Sequence, residues 1–328
     1  MAAPVATTNT VQTNAILGES FRRTVWLNAS NSRLDAAFSN ALKQTMITVV
    51  DNSFVRDRTR EQLEAGGVTW TSNEVTIQEF EKFYFDGGAQ VPYADMRVLE
   101  AGGRLESHAG QILGKKLALH VDSKIAGAVT ASANYTSGRN NQVAAPDAST
   151  ITRAFPHRVA GNNADRNIVR AVKDAHLLLT DKDVMEAEWV GDNAPSAFSL
   201  MCNYPVARVL VDYLSDVGEL RMKSDVAGQA ETSRGIFGTT AYMGSFSGFD
   251  IVSTNSIAKP GAGQDWKSYV VPTNSSIVAG FPMLKTVDKS WDKGTTNDAY
   301  VWQRHAIGEW YAGIVYPENI IEITVKGS

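Results

Sequence analysis

RLESHAGQILGKKLALHVDSKIAGAVTA, residues 104–131, carries the strongest helical pattern in the chain. Leu113, Leu117, Val121, Ile125 and Ala128 form an apolar ladder at near i, i+4 steps, with Lys115, Lys116, Asp122 and Lys124 off it. No proline interrupts the stretch. At 1.5 Å per residue such a helix is about 40 Å long, more than most globular helices reach. The spacing predicts a stiff element on which a thin protein is built.

Upstream, residues 1–20 (MAAPVATTNTVQTNAILGES) are nearly uncharged and without periodicity. They have too little to bury to offset their own ordering, so contacts outside their domain would have to hold them. Residues 31–46 read as an amphipathic helix, capped by Ser32, with Leu34, Phe38, Leu42 and Met46 on one face. A charged stretch with Arg56, Arg58, Arg60, Glu61 and Glu64 ends at Gly66-Gly67. Two extended segments follow, Val68–Thr71 and Val75–Phe85, the second breaking at Asp86-Gly87-Gly88. Along Val75–Phe85 one parity holds Val75, Ile77, Glu79, Glu81, Phe83 and Phe85, and the other holds Thr76, Gln78, Phe80, Lys82 and Tyr84. Neither face is cleanly apolar, which suits an arm lying over a neighbouring surface better than a core strand.

Downstream, residues 132–162 form a polar loop, and a helix follows from about Asn163 to Leu179 with Ile168, Val172, Ala175 and Leu179 inward. Ala187–Cys202 is strand-like. Asn203-Tyr-Pro205 opens a third helix whose face is Val206, Val209, Leu210, Tyr213 and Leu214, with proline in a favoured first-turn position. Residues 215–235 read as a charged loop, and SGFDIVSTNSI (247–257) as a strand leaving a glycine turn. Residues 258–300 are rich in Gly, Pro, Ser, Thr and Asn. Tyr300–Tyr316 and Ile320–Val325 are strand candidates joined at Pro317-Glu-Asn. The class is α+β, without internal repeats.

Composition narrows the function. The 328 residues can bury a sizeable core. Lys+Arg 31 against Asp+Glu 35 gives a net charge of -4, unlike domains whose main task is gripping phosphates. Cys202 is the single cysteine, so intrachain disulfides and cysteine zinc clusters are excluded. Neither a secretory signal nor a membrane-spanning apolar stretch is apparent, and a soluble protein is expected.

The chemical inventory is thin. Gly114-Lys115 runs into Lys116 within the long helix rather than forming a phosphate loop, and the Gly pairs at 66–67, 87–88 and 102–103 read as turns. Gly244-Ser-Phe-Ser-Gly248 places Phe246 where a nucleophile elbow needs serine. His108 and His120 lie about 120° apart around their helix and cannot share a metal; His157, His176 and His305 lack ligand spacing. Asp181 and Asp183 lack the other ligands of a calcium loop and read as helix-end acids. Cys202 reads as a small buried hydrophobe. Trp266, Trp291, Trp302 and Trp310 fit packing or a subunit interface better than a stacking platform. No catalytic residue, cofactor or metal is assigned. Arg56, Arg58, Arg60, Glu79, Glu81 and Lys82 are the candidate intersubunit contacts.

The order of these elements resembles the major capsid proteins of tailed double-stranded DNA bacteriophages, the Hong Kong 97-like fold. Residues 104–129 stand as its spine helix, ADRNIVRAVKDAHLLLTDKDV as its second peripheral helix and NYPVARVLVDYL as its axial-domain helix. GSFSGFDIVSTNSI is similar to its frequent G-f-x-V-x-x-S-N strand, through Gly248, Phe249, Val252 and Asn255, and YAGIVYPENIIEITV to its closing strand pair. The resemblance implies an N-terminal arm (1–51, with the helix 31–46), an E-loop β hairpin region (52–92) and a peripheral domain (93–185, spine helix about 104–131). An axial domain (186–299) and a return to the peripheral domain (300–328) complete it. It implies a non-enzymatic coat subunit forming pentamers and hexamers of an icosahedral head, present in the virion and assembled in the host cytoplasm. Its partners would be further copies of itself, a portal, a separate scaffolding protein, a decoration protein, and packaged DNA touched weakly without sequence specificity. No membrane is involved. An encapsulin-type nanocompartment shell is the alternative, and an enzyme of unknown type the second.

Overall fold

A computed structural model of the protein describes residues 24–30, 34, 38, 42–50, 60–64, 74–92, 105–131, 142–145, 150–151, 164–181, 198–220, 242–261, 263–273, 275–291 and 301–327. The long helix is there. Leu105–Val129 (α3) spans 25 residues, about 37 Å at 1.5 Å per residue. Before it come the short helices Trp26–Ala29 (α1) and Arg60–Glu64 (α2); after it come Ala164–Asp181 (α4) and Tyr204–Asp216 (α5). Leu117, Val121 and Ile125 of the ladder are buried, and the stripe continues through Ala126 and Val129, whereas Ala128 is exposed. Asp122, expected off the ladder, is also buried: the apolar face is wide enough to take in the position beside Val121.

Among the described residues, three sheets carry the strands. Lys43–Val50 (β1) pairs antiparallel with Glu74–Glu81 (β2) from Lys43↔Glu81 to Val50↔Glu74, as a separate two-stranded ribbon. Phe83–Pro92 (β3), Ile277–Trp291 (β10) and Val301–Ile314 (β11) form an antiparallel sheet in the order β10-β11-β3. The third sheet joins Gln142–Ala144 (β4), Ile321–Gly327 (β12), Trp266–Pro272 (β9), Phe198–Cys202 (β6), Phe249–Ser253 (β8) and Tyr242–Phe246 (β7) in that order, with Thr150–Ile151 (β5) also on β12.

That third sheet is buried on both faces. Phe198, Leu200, Phe249, Ile251, Val270 and Ile323 meet Ile168, Val172, Ala175 and Leu179 of α4 and Val206, Leu210 and Leu214 of α5 in one cluster. Met201, Val252, Tyr269 and Val271 point the other way, toward Leu117, Val121 and Ile125 of α3 and Trp26 of α1. Strands enclosed between helical layers read as unbroken apolar runs, as FSLMC does. Ser247 and Gly248 adopt φ of 49° and 83° between β7 and β8, the positive-φ pair that a two-residue hairpin turn requires.

Several expectations fail here. The helix 31–46 cannot extend to Met46, because Lys43–Val50 is a strand; the helical turn seen at this place is the Phe38 N–H to Leu34 carbonyl bond of 2.9 Å. The extended run Val75–Phe85 is two strands in two sheets, divided at Lys82, and Asp86-Gly87-Gly88 does not end it: Gly87 and Gly88 lie inside β3, paired with Ala306 and His305. Residues 258–300, rich in Gly, Pro, Ser, Thr and Asn, contain β9 and β10. Pro282, which cannot donate to a ladder, sits in the register shift between Gly280 and Met283. β11 and β12 do not pair with each other; the 3₁₀ turn Pro317–Asn319 carries the chain from one sheet to the next. Helix α4 and strand β12 belong to the cluster with α5, and β10 to the sheet beside α3.

The loop after β8 ties these layers together. Thr254 N–H donates to the Cys202 carbonyl at 2.8 Å, and the Asn203 amide, oriented by its neighbours, donates to the carbonyls of Thr254 and Ile257. Ser256 Oγ donates to Asp122 Oδ2 at 2.9 Å. The STNSI motif is thus a junction between the β6–α5 turn and the long helix.

Candidate assembly surfaces

Most of the ribbon's described side chains stay exposed. Lys43, Thr45, Ile77, Glu79 and Glu81 are exposed, and Leu42 and Ile77 keep 63% and 64% of their surface in solvent. At its root the ribbon is firmly anchored. Phe80 is buried with Phe38, Val278, Tyr311 and Val315, and Phe38 stacks on Tyr311 at 4.6 Å.

Lys82 is the residue at which the chain passes from ribbon to sheet. Its backbone N–H donates to the Leu42 carbonyl at 3.0 Å. Its ammonium lies 2.9 Å from Glu309 Oε2, with only 6% and 10% of the two side chains exposed, and donates to the Phe38 carbonyl at 3.2 Å. Lys82, named among the candidate intersubunit contacts, has its charge paired inside the subunit, because the junction buries it and only a paired carboxylate makes that tolerable.

This face of β11 is covered at Tyr311 and Gly313 by Phe38 and Phe80, and among the described side chains it opens on the other side of the pair. Glu309 stands directly opposite Tyr84 on one side and Met283 on the other, with Ile307 two positions along the same face. Tyr84, Met283 and Ile307 are all exposed. The opposite face packs inward, where Phe85 and Trp310 join the long helix's cluster and Phe83 stacks on Trp310 at 4.9 Å. Gly308 lies flat beneath the Phe85 ring and Gly313 beneath that of Phe80.

Of the other candidate contacts, Glu79 and Glu81 are on the exposed ribbon, and Arg60 forms an i, i+4 pair with Glu64 at 2.9 Å in full solvent exposure. Arg56 and Arg58 lie outside the described residues. Sequence reasoning missed Glu309, whose partner is distant in sequence. It also missed Glu322, buried on β12 and bonded to Gln142, Lys267 and Tyr269. A lone acid inside an otherwise apolar strand run, IIEITV, is the signal that it needed partners.

The chemical candidates resolve into structure. Cys202 is buried, and desolvation pushes its thiol up to about 12, far from a nucleophile. Ser245 Oγ donates to Asp250 Oδ1 at 2.6 Å and meets the Tyr242 hydroxyl at 2.6 Å, a hydrogen-bonded chain across the β7–β8 hairpin. His176 packs edge-on against Phe198 and Phe249. Among the described residues, no three metal-ligating side chains gather, and no helix is long and apolar enough to cross a membrane.

No protein-family model and no curated protein matches this sequence. Solved structures do match along nearly its whole length. One from Mycobacterium phage Che8 is 14% identical, with a TM-score of 0.52 over 92% of this chain and 91% of that one. The capsid of Cyanophage P-SCSP1u is 12% identical, with a TM-score of 0.55 over 94% and 89%. The capsid of Ralstonia phage GP4 is 10% identical, with a TM-score of 0.55 over 94% and 92%. At such identities the likeness is one of fold. The chain has the fold found in phage capsid proteins.

Proposed function

We propose that this protein is a shell subunit, the major capsid protein of a phage head of the Hong Kong 97-like type, with a structural and not a catalytic role. The observation that carries the reading is the pairing of two unfinished surfaces on one chain: a ribbon with exposed Leu42 and Ile77, and a sheet face with exposed Tyr84, Met283 and Ile307. A head-to-tail contact of unlike patches closes into rings when its rotation fits a closed symmetry. In this reading the ribbon of one subunit lies across the outer sheet face of the next, in pentamers and hexamers of an icosahedral shell around double-stranded DNA. Glu79, Glu81 and Arg60, with Arg56 and Arg58, are its polar contacts. Further copies, a portal, a scaffolding protein and a decoration protein are its partners, and DNA is touched weakly, as the net charge of -4 suits. The particle is assembled in the host cytoplasm and the protein resides in the virion.

Sedimentation of the expressed chain with its scaffold and portal partners, followed by negative-stain imaging, tests this. Megadalton shells, or rings of five or six subunits, are expected. A persistent 35.5 kDa monomer under those conditions contradicts it. Shells that carry a protein cargo instead of DNA would keep the shell role and replace the phage head by a nanocompartment.

A further inference from the structure

We propose that Asp122 and Ser256 form a proton-linked latch that seats residues 24–30 against the long helix, closing more firmly when Asp122 carries a proton. Asp122 Oδ1 accepts from the N–H groups of Val25, at 2.8 Å, and Trp26, at 2.7 Å. These are amides at the start of α1, which have no partner within the helix. They are capped from 97 and 96 positions away, since the N-cap residue Val25 has no side chain able to do so. Ser256 Oγ holds the other carboxylate oxygen, so three segments of the chain meet at one side chain that is 2% exposed.

Among the described residues, no cation is paired with the carboxylate. The groups acting on it are the Ser256 hydroxyl and the amides of Trp26, Val25 and Leu27. On α3 itself, His120 and Lys124 are exposed; Lys259, beyond Ser256, is exposed as well. Tyr269 of β9 meets Trp26 edge-on, and its hydroxyl donates a hydrogen bond to Glu322 Oε2 at 3.0 Å. The charged residues of β10, Lys285, Asp288 and Lys289, come after its register shift. Residues 24–30 contain no charged side chain, and Arg22 and Arg23, which precede them, lie outside the described residues.

Burial pushes Asp122 up to about 6, desolvation outweighing the hydrogen bonds that favour the anion. A neutral carboxyl keeps every contact: Oδ1 still accepts both amides, and Oδ2–H donates to a Ser256 hydroxyl that now accepts. If residues 24–30 lift away, water reaches the group and its pKa falls back toward 3.8. The seated state therefore binds the proton more tightly than the released one. Seating gains its full proton contribution below the released pKa and loses it as pH rises through about 6. Between pH 5 and pH 8 this linkage amounts to ~10-fold in the seating equilibrium.

The latch does not depend on the shell reading. Hydrogen–deuterium exchange of the full-length chain tests it, corrected for intrinsic rates, comparing peptides over 24–30 with peptides over 204–216. The wild type should be about tenfold better protected at pH 5 than at pH 8 in 24–30 alone. Asp122→Asn, whose amide reproduces the donor and acceptor of the neutral acid, should keep high protection at both values; Asp122→Ala should lose it at both. Equal wild-type protection at the two pH values overturns the proposal. So does an Asn variant less protected than wild type at pH 8, or an equal pH effect over 204–216. Should Asp122→Ala fail to fold, the wild-type pair and the Asn variant still decide.

Discussion

The two-stranded ribbon and the seven-stranded sheet are built from the same residue types with opposite outcomes. In the sheet, every residue of Phe198–Cys202 is buried, and both faces are covered by helices from the same chain. In the ribbon, Ile77 stands in solvent, and among the described side chains the buried anchors are Phe80 and Lys82 at its root. One region is complete within the subunit and stabilises it; the other is anchored at one end and offers the rest outward. A fold that spends apolar residues on an exposed ribbon gains nothing from them until a second surface covers them.

Substitutions can break this contrast in a definite order. Phe249→Ala, in the aromatic cluster with Phe198, Phe246 and His176, should cost about 3–5 kcal/mol in a denaturant titration, as large cavities in well-packed cores do. Lys82→Met should cost a comparable 3–5 kcal/mol by stranding the buried Glu309 carboxylate, whereas Lys82→Met with Glu309→Leu should recover most of that loss. If the single and double variants were equally unstable, the pair would not be the ribbon's anchor.

Gly313→Ala should cost less, about 1–3 kcal/mol, because a Cβ there would approach within 2.3 Å of the Phe80 ring and force it to move. The loss should appear first as faster exchange in the ribbon, not in the sheet. The smallest effect sharpens the contrast most. Ile77→Ser should change subunit stability by no more than about 0.5 kcal/mol, as exposed substitutions do, measured in the same titration.

The body of the fold was legible because its signals are local. The ladder through Leu117, Val121 and Ile125, the proline opening α5, and the Ser247-Gly248 turn each depend on neighbours a few positions away. The ribbon was misread for a specific reason. Leu42 and Met46 are four apart, and positions i and i+4 share a face in a strand as well as in a helix, so the pattern could not separate the two. Gly87-Gly88 looked like a turn because glycine permits one, yet full pairing with β11 keeps the backbone extended. Asp122 and Lys82 were assigned to surfaces since charge alone predicts exposure. Their partners, Trp26, Ser256 and Glu309, are brought together only by the tertiary fold, and no spacing rule records them.

The central claim is that the ribbon belongs to the neighbour and not to its own subunit. The most direct test is sedimentation velocity of a Leu42→Asp, Ile77→Asp variant beside the wild type, each expressed with the same partner proteins. The account predicts that the wild type forms rings or shells, and that the variant stays at 35.5 kDa with an unchanged unfolding midpoint. A variant that assembles as the wild type does, or that unfolds early as a monomer, would contradict it.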